Sequence, residues 1–174
     1  VNEKSEVIID VDEISLKGNH NLENALFIIG TGKILNIPNE VIAQFLKTTK
    51  ALEHRLENFF LKKNTLFVND SKGTNVESTV KAIEAFKNRV VLIAGGENKK
   101  ICNDELIKKI NERVGFVYLI GETGIILAEE MDKVGYKKYK NLGTLEKVLL
   151  DIKENIDFED GQTILFSPAT ASFD

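Results

Sequence analysis

The chain is short of several things, and each shortage narrows what it can be. It has one cysteine, Cys102, and two histidines, His20 and His54, in 174 residues. A single thiol excludes an intramolecular disulfide framework and any multi-cysteine metal site. It fits a reducing cytosol, with Cys102 read as structural. Two histidines far apart in the chain, with no cysteine near either, do not give the ligand spacing of a zinc site. No apolar run approaches the roughly 18 residues that a membrane span needs. The N-terminal stretch, which carries Glu3, Lys4 and Glu6, lacks the apolar core of a signal peptide. Positive charge is not in excess either: 27 acidic against 23 basic residues give a net charge of −4. No overall field therefore attracts nucleic acid or an anionic membrane, and an anionic ligand has to be held locally. No internal repeat or low-complexity tract is visible. What remains is a folded cytoplasmic protein whose 43% hydrophobic residues suffice for one full core.

From Thr65 onward, short β-rich apolar runs alternate with amphipathic stretches. Strands are expected at 65–69, 89–94, 116–120 and 163–166, and helices at 75–88, 103–114, 123–134 and 144–155. That alternation predicts an α/β fold, a mostly parallel sheet with helices on both faces. In the first of these helices Val76, Val80, Ile83 and Phe86 form an apolar stripe, with Asn75 as its N-cap. Asn103 is expected to cap the second, over Leu106, Ile107, Ile110 and Val114. Thr144 opens the fourth, over Leu145, Val148, Leu149 and Ile152. Before residue 50 the pattern differs: Val7-Ile8-Ile9-Asp10-Val11 reads as a strand, followed by helices over 21–29 and 39–47, the latter started by Pro38. A boundary is therefore placed near Lys50, with residues 1–50 as the tail of a preceding domain and 51–174 as a second domain. The first residue is Val1 rather than Met and the last is Asp174, so the chain reads as an excised fragment.

The richest chemistry lies in Asn69-Asp70-Ser71-Lys72-Gly73-Thr74-Asn75, between a strand-like and a helix-like run. Open α/β sheets bind ligands beyond the carboxyl ends of their strands. Asp70 and Lys72 bring a carboxylate and an ammonium there, Gly73 permits close backbone approach, and Thr74 adds a hydroxyl. A capping loop that only satisfies its own backbone would use the same residue types. Two further loops follow strand-like runs: Gly95-Gly96-Glu97-Asn98-Lys99 and Ser167-Pro168-Ala169-Thr170-Ala171-Ser172. They offer a cation at Lys99 and hydroxyls at Ser167, Thr170 and Ser172, and all three loops can share one sheet edge. Elsewhere, the amides of Asn21 and Asn24 can read an adenine edge, and Arg55, beside His54, can neutralise phosphate. Gly30-Thr31-Gly32-Lys33 is a decoy. In a phosphate-binding loop Phe27 would have to be glycine and Ile34 a hydroxyl residue. Gly121-Glu122-Thr123-Gly124 reads only as a helix start.

Taken in order, Gly18-Asn19-His20-Asn21-Leu22-Glu23-Asn24, His54-Arg55-Leu56-Glu57, Asn69 to Asn75, Gly95 to Lys99, and Ser167 to Asp174 make the chain similar to the Mur ligases of peptidoglycan synthesis. The Asp-Ser-Lys-x-Thr-Asn loop resembles that of their D-glutamate-adding branch. The resemblance implies a three-domain, cytoplasmic, monomeric enzyme that adds D-glutamate to UDP-N-acetylmuramoyl-L-alanine, with ATP and Mg²⁺ as cofactors, through an acyl phosphate. This chain would hold the end of the central ATPase domain and a Rossmann-like C-terminal domain truncated at its end. The phosphate-binding loop and most Mg²⁺ ligands would lie outside it, so the fragment alone is expected to be inactive. By resemblance Asn21 and Asn24 contact adenine, His54 lies against the purine, and Arg55 and Asp70 reach the ribose and phosphates. Thr74, Lys99 and Ser172 hold the carboxylates of D-glutamate, and Lys72 has a place in the site. Gly73 stands where the family often has Ala, and Thr170 where it often has Cys. Two other readings are a relative adding a different amino acid, such as a folylpolyglutamate synthase, and a binding module without catalysis.

Overall fold

The computed structural model describes residues 6–16, 19–50, 52–97 and 103–170. The chain divides into two compact units, Val1–Ala51 and Leu52–Asp174.

The first unit contains a 3-10 turn, Val11–Glu13, and two helices, α1 (Asn19–Ile34) and α2 (Asn39–Thr48). The strand expected at 7–11 does not form. A strand needs a ladder partner, and no other strand exists among the described residues of this unit. Ile8 and Ile9 instead pack against the cluster of Ile14, Ala25, Ile42 and Leu46. Helix α1 runs past the expected end at residue 29, straight through Gly30-Thr31-Gly32-Lys33. Glycine is a poor helix former, but Gly32 is buried against Ile42, and close packing overrides propensity. The helix ends at Ile34, and Asn36 just beyond it has a φ of 55°, the left-handed cap geometry. The Ile37 N–H donates back to the Gly32 carbonyl at 2.9 Å, as such a cap requires.

The second unit begins with an antiparallel hairpin, β1 (Glu57–Lys62) and β2 (Thr65–Asn69). It continues through α3 (Val76–Glu84), β3 (Val90–Gly96), α4 (Asp104–Arg113), β4 (Val114–Ile120), α5 (Gly121–Lys133), β5 (Tyr139–Gly143), α6 (Leu145–Asn155) and β6 (Thr163–Phe166). The six strands form one sheet in the order β1-β2-β6-β3-β4-β5. Every neighbouring pair but β1–β2 is parallel. Along β3 the side chains alternate: Val90, Leu92 and Ala94 join the core shared with α3, α4 and α5. Val91 and Ile93 join the core covered by α6. That alternation lets one strand serve two faces. Asn75 caps α3 by accepting from the Ser78 N–H at 2.8 Å, and Thr144 caps α6. Asn103 precedes α4 but makes no capping bond through its side chain. In α6 the expected stripe is narrower, since Val148 and Ile152 are buried while Leu149 is exposed.

The opposite face from α3 carries a polar anchor. The buried Tyr118 hydroxyl donates to Asp151 at 2.7 Å, and Lys140 donates to both Asp151 oxygens at 2.8 and 2.9 Å. The bond from Lys140, helped by that from Tyr118, holds the Asp151 carboxyl below the ordinary aspartate range, and burial opposes this. A lowered folded-state pKa gives stability that is present above the unfolded value and lost as pH falls through the folded one. Asp151→Asn is therefore expected to flatten the acid limb of the stability curve below about pH 4, as read by urea unfolding at a series of pH values.

Candidate functional site

Because β2, β6 and β3 are parallel neighbours, the loops that follow them leave the same edge of the sheet side by side. Backbone bonds weld them together. The Asp70 N–H donates to the Phe166 carbonyl at 2.8 Å, Ser167 to Ile93 at 3.1 Å, and Gly95 to Pro168 at 2.9 Å. Ala169 donates to Gly73 at 2.9 Å. The expectation that the three polar loops share one edge is thus met.

The side chains at this edge fall into two groups. His54, Arg55, Lys72 and Thr74 are exposed. The structure joins the first and third directly, since the Lys72 N–H donates to the His54 carbonyl at 3.1 Å. His54 has a φ of 67°, an uncommon geometry for a residue with a side chain. It is held by its N–H donating to Glu57 at 2.9 Å and by Asn69 Nδ2 against its Nδ1 at 2.9 Å. The contact leaves the imidazole exposed on a turn that also carries the exposed Arg55 and is bonded to the backbone of the exposed Lys72, residue types suited to an anionic, ring-bearing ligand.

Asp70 belongs to the second group. It is only 4% exposed. Its Oδ1 accepts from the Leu56 N–H at 3.2 Å and its Oδ2 from the Ser167 hydroxyl at 2.7 Å. Ser167 meets Thr79 at 2.8 Å, and both are fully buried. Thr79 has no counterpart among the sequence candidates. Its one signal is its place on the inward face of α3, beside Val76, Val80 and Ile83. Gly73 is also buried, and a Cβ there would overlap the Asp70 carboxylate and the Ser167 hydroxyl. Its glycine therefore makes room for a polar network as much as for a ligand. Thr170, read from sequence as a ligand donor, instead donates to the Glu97 carbonyl at 2.9 Å, an oxygen that Thr123 also reaches at 2.6 Å.

Lys99, Ser172 and Cys102 lie outside the described residues. Asn21 and Asn24 are on α1 in the first unit, the former half-buried and the latter exposed. No group of three or more His, Cys, Asp or Glu side chains among the described residues could hold a metal ion. No helix among them is long and apolar enough to cross a membrane.

No family model matches the chain. It is 44% identical over 169 residues to the UDP-N-acetylmuramoylalanine–D-glutamate ligase of Fusobacterium nucleatum, a match covering 96% of this chain and 39% of that protein. The chain spans less than two fifths of the length of the curated relatives it matches. Its fold is similar to that of the UDP-N-acetylmuramate–alanine ligase of Thermotoga maritima, with a TM-score of 0.71 and 16% identity, covering 90% of this chain and 36% of that one. It is also similar to the MurF ligase of Thermotoga maritima solved in complex with ADP, with a TM-score of 0.55 and 18% identity, covering 80% of this chain and 32% of that one. Similarity to the D-glutamate ligases along 96% of its length, at 44% identity to one of them, together with the shared fold, shows that the chain belongs to the Mur ligase family.

Proposed function

We propose that this chain is the part of an ATP-dependent ligase that presents D-glutamate to an activated UDP-N-acetylmuramoyl-L-alanine carboxyl group. ATP phosphorylates that carboxylate, the amine of D-glutamate attacks the acyl phosphate, and an amide forms with release of phosphate. Catalysis of this kind is mainly positioning and charge stabilisation. In the proposed division, residues 1–50 close the nucleotide-binding domain and 51–174 form the amino-acid domain of a monomeric, cytoplasmic enzyme.

The observation that carries this reading is the convergence of the three loops. Thr74 is exposed at the shared edge. Glu97 and Thr170 are hydrogen bonded to each other there, and each lies two residues before a further proposed ligand, Lys99 and Ser172. One hydroxyl, one ammonium and a second hydroxyl suit the two carboxylates of glutamate. His54, Arg55, Asp70 and Lys72 lie on the nucleotide side, and Asn21 and Asn24 supply amides for adenine. Arg55 and Lys72 are exposed cations on segments that the Lys72–His54 backbone bond joins, and the His54 imidazole is exposed as well, which fits a purine nucleotide. No group of three or more His, Cys, Asp or Glu among the described residues could hold a metal ion, and the ligands of Mg²⁺ are assigned mainly to the remainder of the enzyme.

Amide NMR spectra recorded while D-glutamate is added, with L-glutamate as control, test this reading. Cross-peak movement at Thr74, Lys99 and Ser172 with the D-isomer alone is the expected result. In the complete protein, release of phosphate that depends on another amino acid and not on D-glutamate would overturn the reading.

A further inference from the structure

We infer that Ser167 and Thr79 are positioning residues of the ligase reaction, which act through Asp70 to hold Lys72, Thr74 and the His54–Arg55 turn in one geometry. Nothing in the motif resemblance assigns either residue a role. The kinetic part of this inference rests on the function proposed above, and its structural part rests on geometry alone.

The donor order in this cluster is fixed by chemistry. A carboxylate only accepts, so the one hydroxyl proton of Ser167 points to Asp70 Oδ2, 2.7 Å away. Ser167 must then accept from Thr79, whose oxygen lies at 2.8 Å. The chain of bonds therefore runs from Thr79 to Ser167 to Asp70, and Asp70 Oδ1 takes up the Leu56 N–H at 3.2 Å. Four segments meet in this cluster: the first turn of α3, the loop after β6, the loop after β2, and the turn carrying His54 and Arg55. Burial makes the arrangement stringent, since an unpaired polar group there costs far more than one in water.

The exposed residues depend on it directly. Lys72 and Thr74 flank Gly73, which is sandwiched against the Asp70–Ser167 pair. Gly73 is bonded through its N–H to the Asp70 carbonyl at 2.7 Å and through its carbonyl to the Ala169 N–H at 2.9 Å. Loss of a hydroxyl in the cluster removes one of the bonds that orient Asp70, and so loosens both the turn at Gly73 and Leu56, the residue after Arg55. Positions on the proposed nucleotide side and the proposed amino-acid side then shift together.

Thr79 gives the sharpest test, because two variants separate hydroxyl from packing. Thr79→Val keeps the shape and removes the donor, whereas Thr79→Ser keeps the donor and removes a methyl group. Amide spectra and hydrogen exchange of the full chain are expected to show faster exchange at Leu56 and Gly73 and moved cross-peaks at Lys72 and Thr74 in Thr79→Val and in Ser167→Ala, with Thr79→Ser unchanged. In the complete ligase, Thr79→Val is expected to lower kcat/KM about tenfold, the effect of one misplaced hydrogen-bonded contact, and Thr79→Ser to restore it. If Thr79→Ser is as damaging as Thr79→Val, the residue serves packing and the inference fails. It fails equally if Lys72 and Thr74 stay in place in both hydroxyl-deleting variants. Should Ser167→Ala not fold, the Thr79 pair decides. A wild-type enzyme without D-glutamate ligase activity overturns the proposed function and leaves the exchange measurement to judge the positioning network.

Discussion

Gly95→Ala is expected to destabilise the Leu52–Asp174 unit by about 3 kcal/mol or more, from two independent sources. Gly95 has a φ of 114°, a region closed to residues with a Cβ, and forcing one there costs on the order of 1–3 kcal/mol. The added methyl would also overlap the backbone carbonyl of Ile120 on the neighbouring strand. A backbone atom paired in a parallel ladder cannot swing aside as a side chain can, and overpacking of this kind costs typically 1–3 kcal/mol. The three tyrosines of the chain, Tyr118, Tyr136 and Tyr139, all lie in this unit, so tyrosine fluorescence follows its unfolding selectively. A fall in Tm of about 10 °C is expected for a unit of this size. An unchanged Tm would mean that β3 and β4 separate easily at this end. The same substitution loosens the bond from Gly95 to Pro168, which joins two of the three loops, so ligand response at Thr74 should weaken as well.

The glycine pair at 95 and 96 shows how far the sequence could be read. Gly-Gly alone fits a plain β-α turn as well as an unobstructed approach for an anion, and neither includes a neighbouring strand pressed against the turn. The buried strands were legible because they are continuous apolar runs bounded by polar loops. Thr65–Asn69 and Thr163–Phe166 fall where the pattern places them, and β3 and β4 differ by one or two residues at their ends. The strands missed, β1 and β5, are the two edges of the sheet. Tyr139-Lys140-Asn141-Leu142-Gly143 has little apolar content because an edge strand needs little. In β1, Phe59, Phe60 and Leu61 are all more than half exposed, so no alternation marks them. The false strand at 7–11 is the converse case, β-branched residues with no partner to pair with. At the candidate site the residue types were visible but their commitments were not: Asp70, Ser167 and Thr170 look alike as potential ligand groups until tertiary contacts show them bonded within the protein.

That distinction decides the outcome for Asp70, where Asp70→Ala and Asp70→Asn are expected to behave very differently. Alanine leaves the Leu56 N–H and the Ser167 hydroxyl without these partners in a buried place, and opens a void beneath Gly73. The expected loss of stability is about 3 kcal/mol. Asparagine can keep both bonds. Its oxygen accepts from Leu56, and its amide donates to Ser167, which then turns its proton to Thr79. Thr79 in turn has the Gly73 carbonyl within reach at 3.4 Å. The hydroxyl chain simply reverses, and stability should change by no more than about 1 kcal/mol. If Asp70 serves the nucleotide only through this scaffold, Asp70→Asn in the complete ligase retains its KM for ATP. If the carboxylate charge itself meets the ribose or phosphates, the KM for ATP shifts while Tm does not. Loss of stability in Asp70→Asn as large as in Asp70→Ala would show that the chain of hydroxyls cannot reverse, and that the donor order running from Thr79 to Asp70 is fixed by more than the carboxylate.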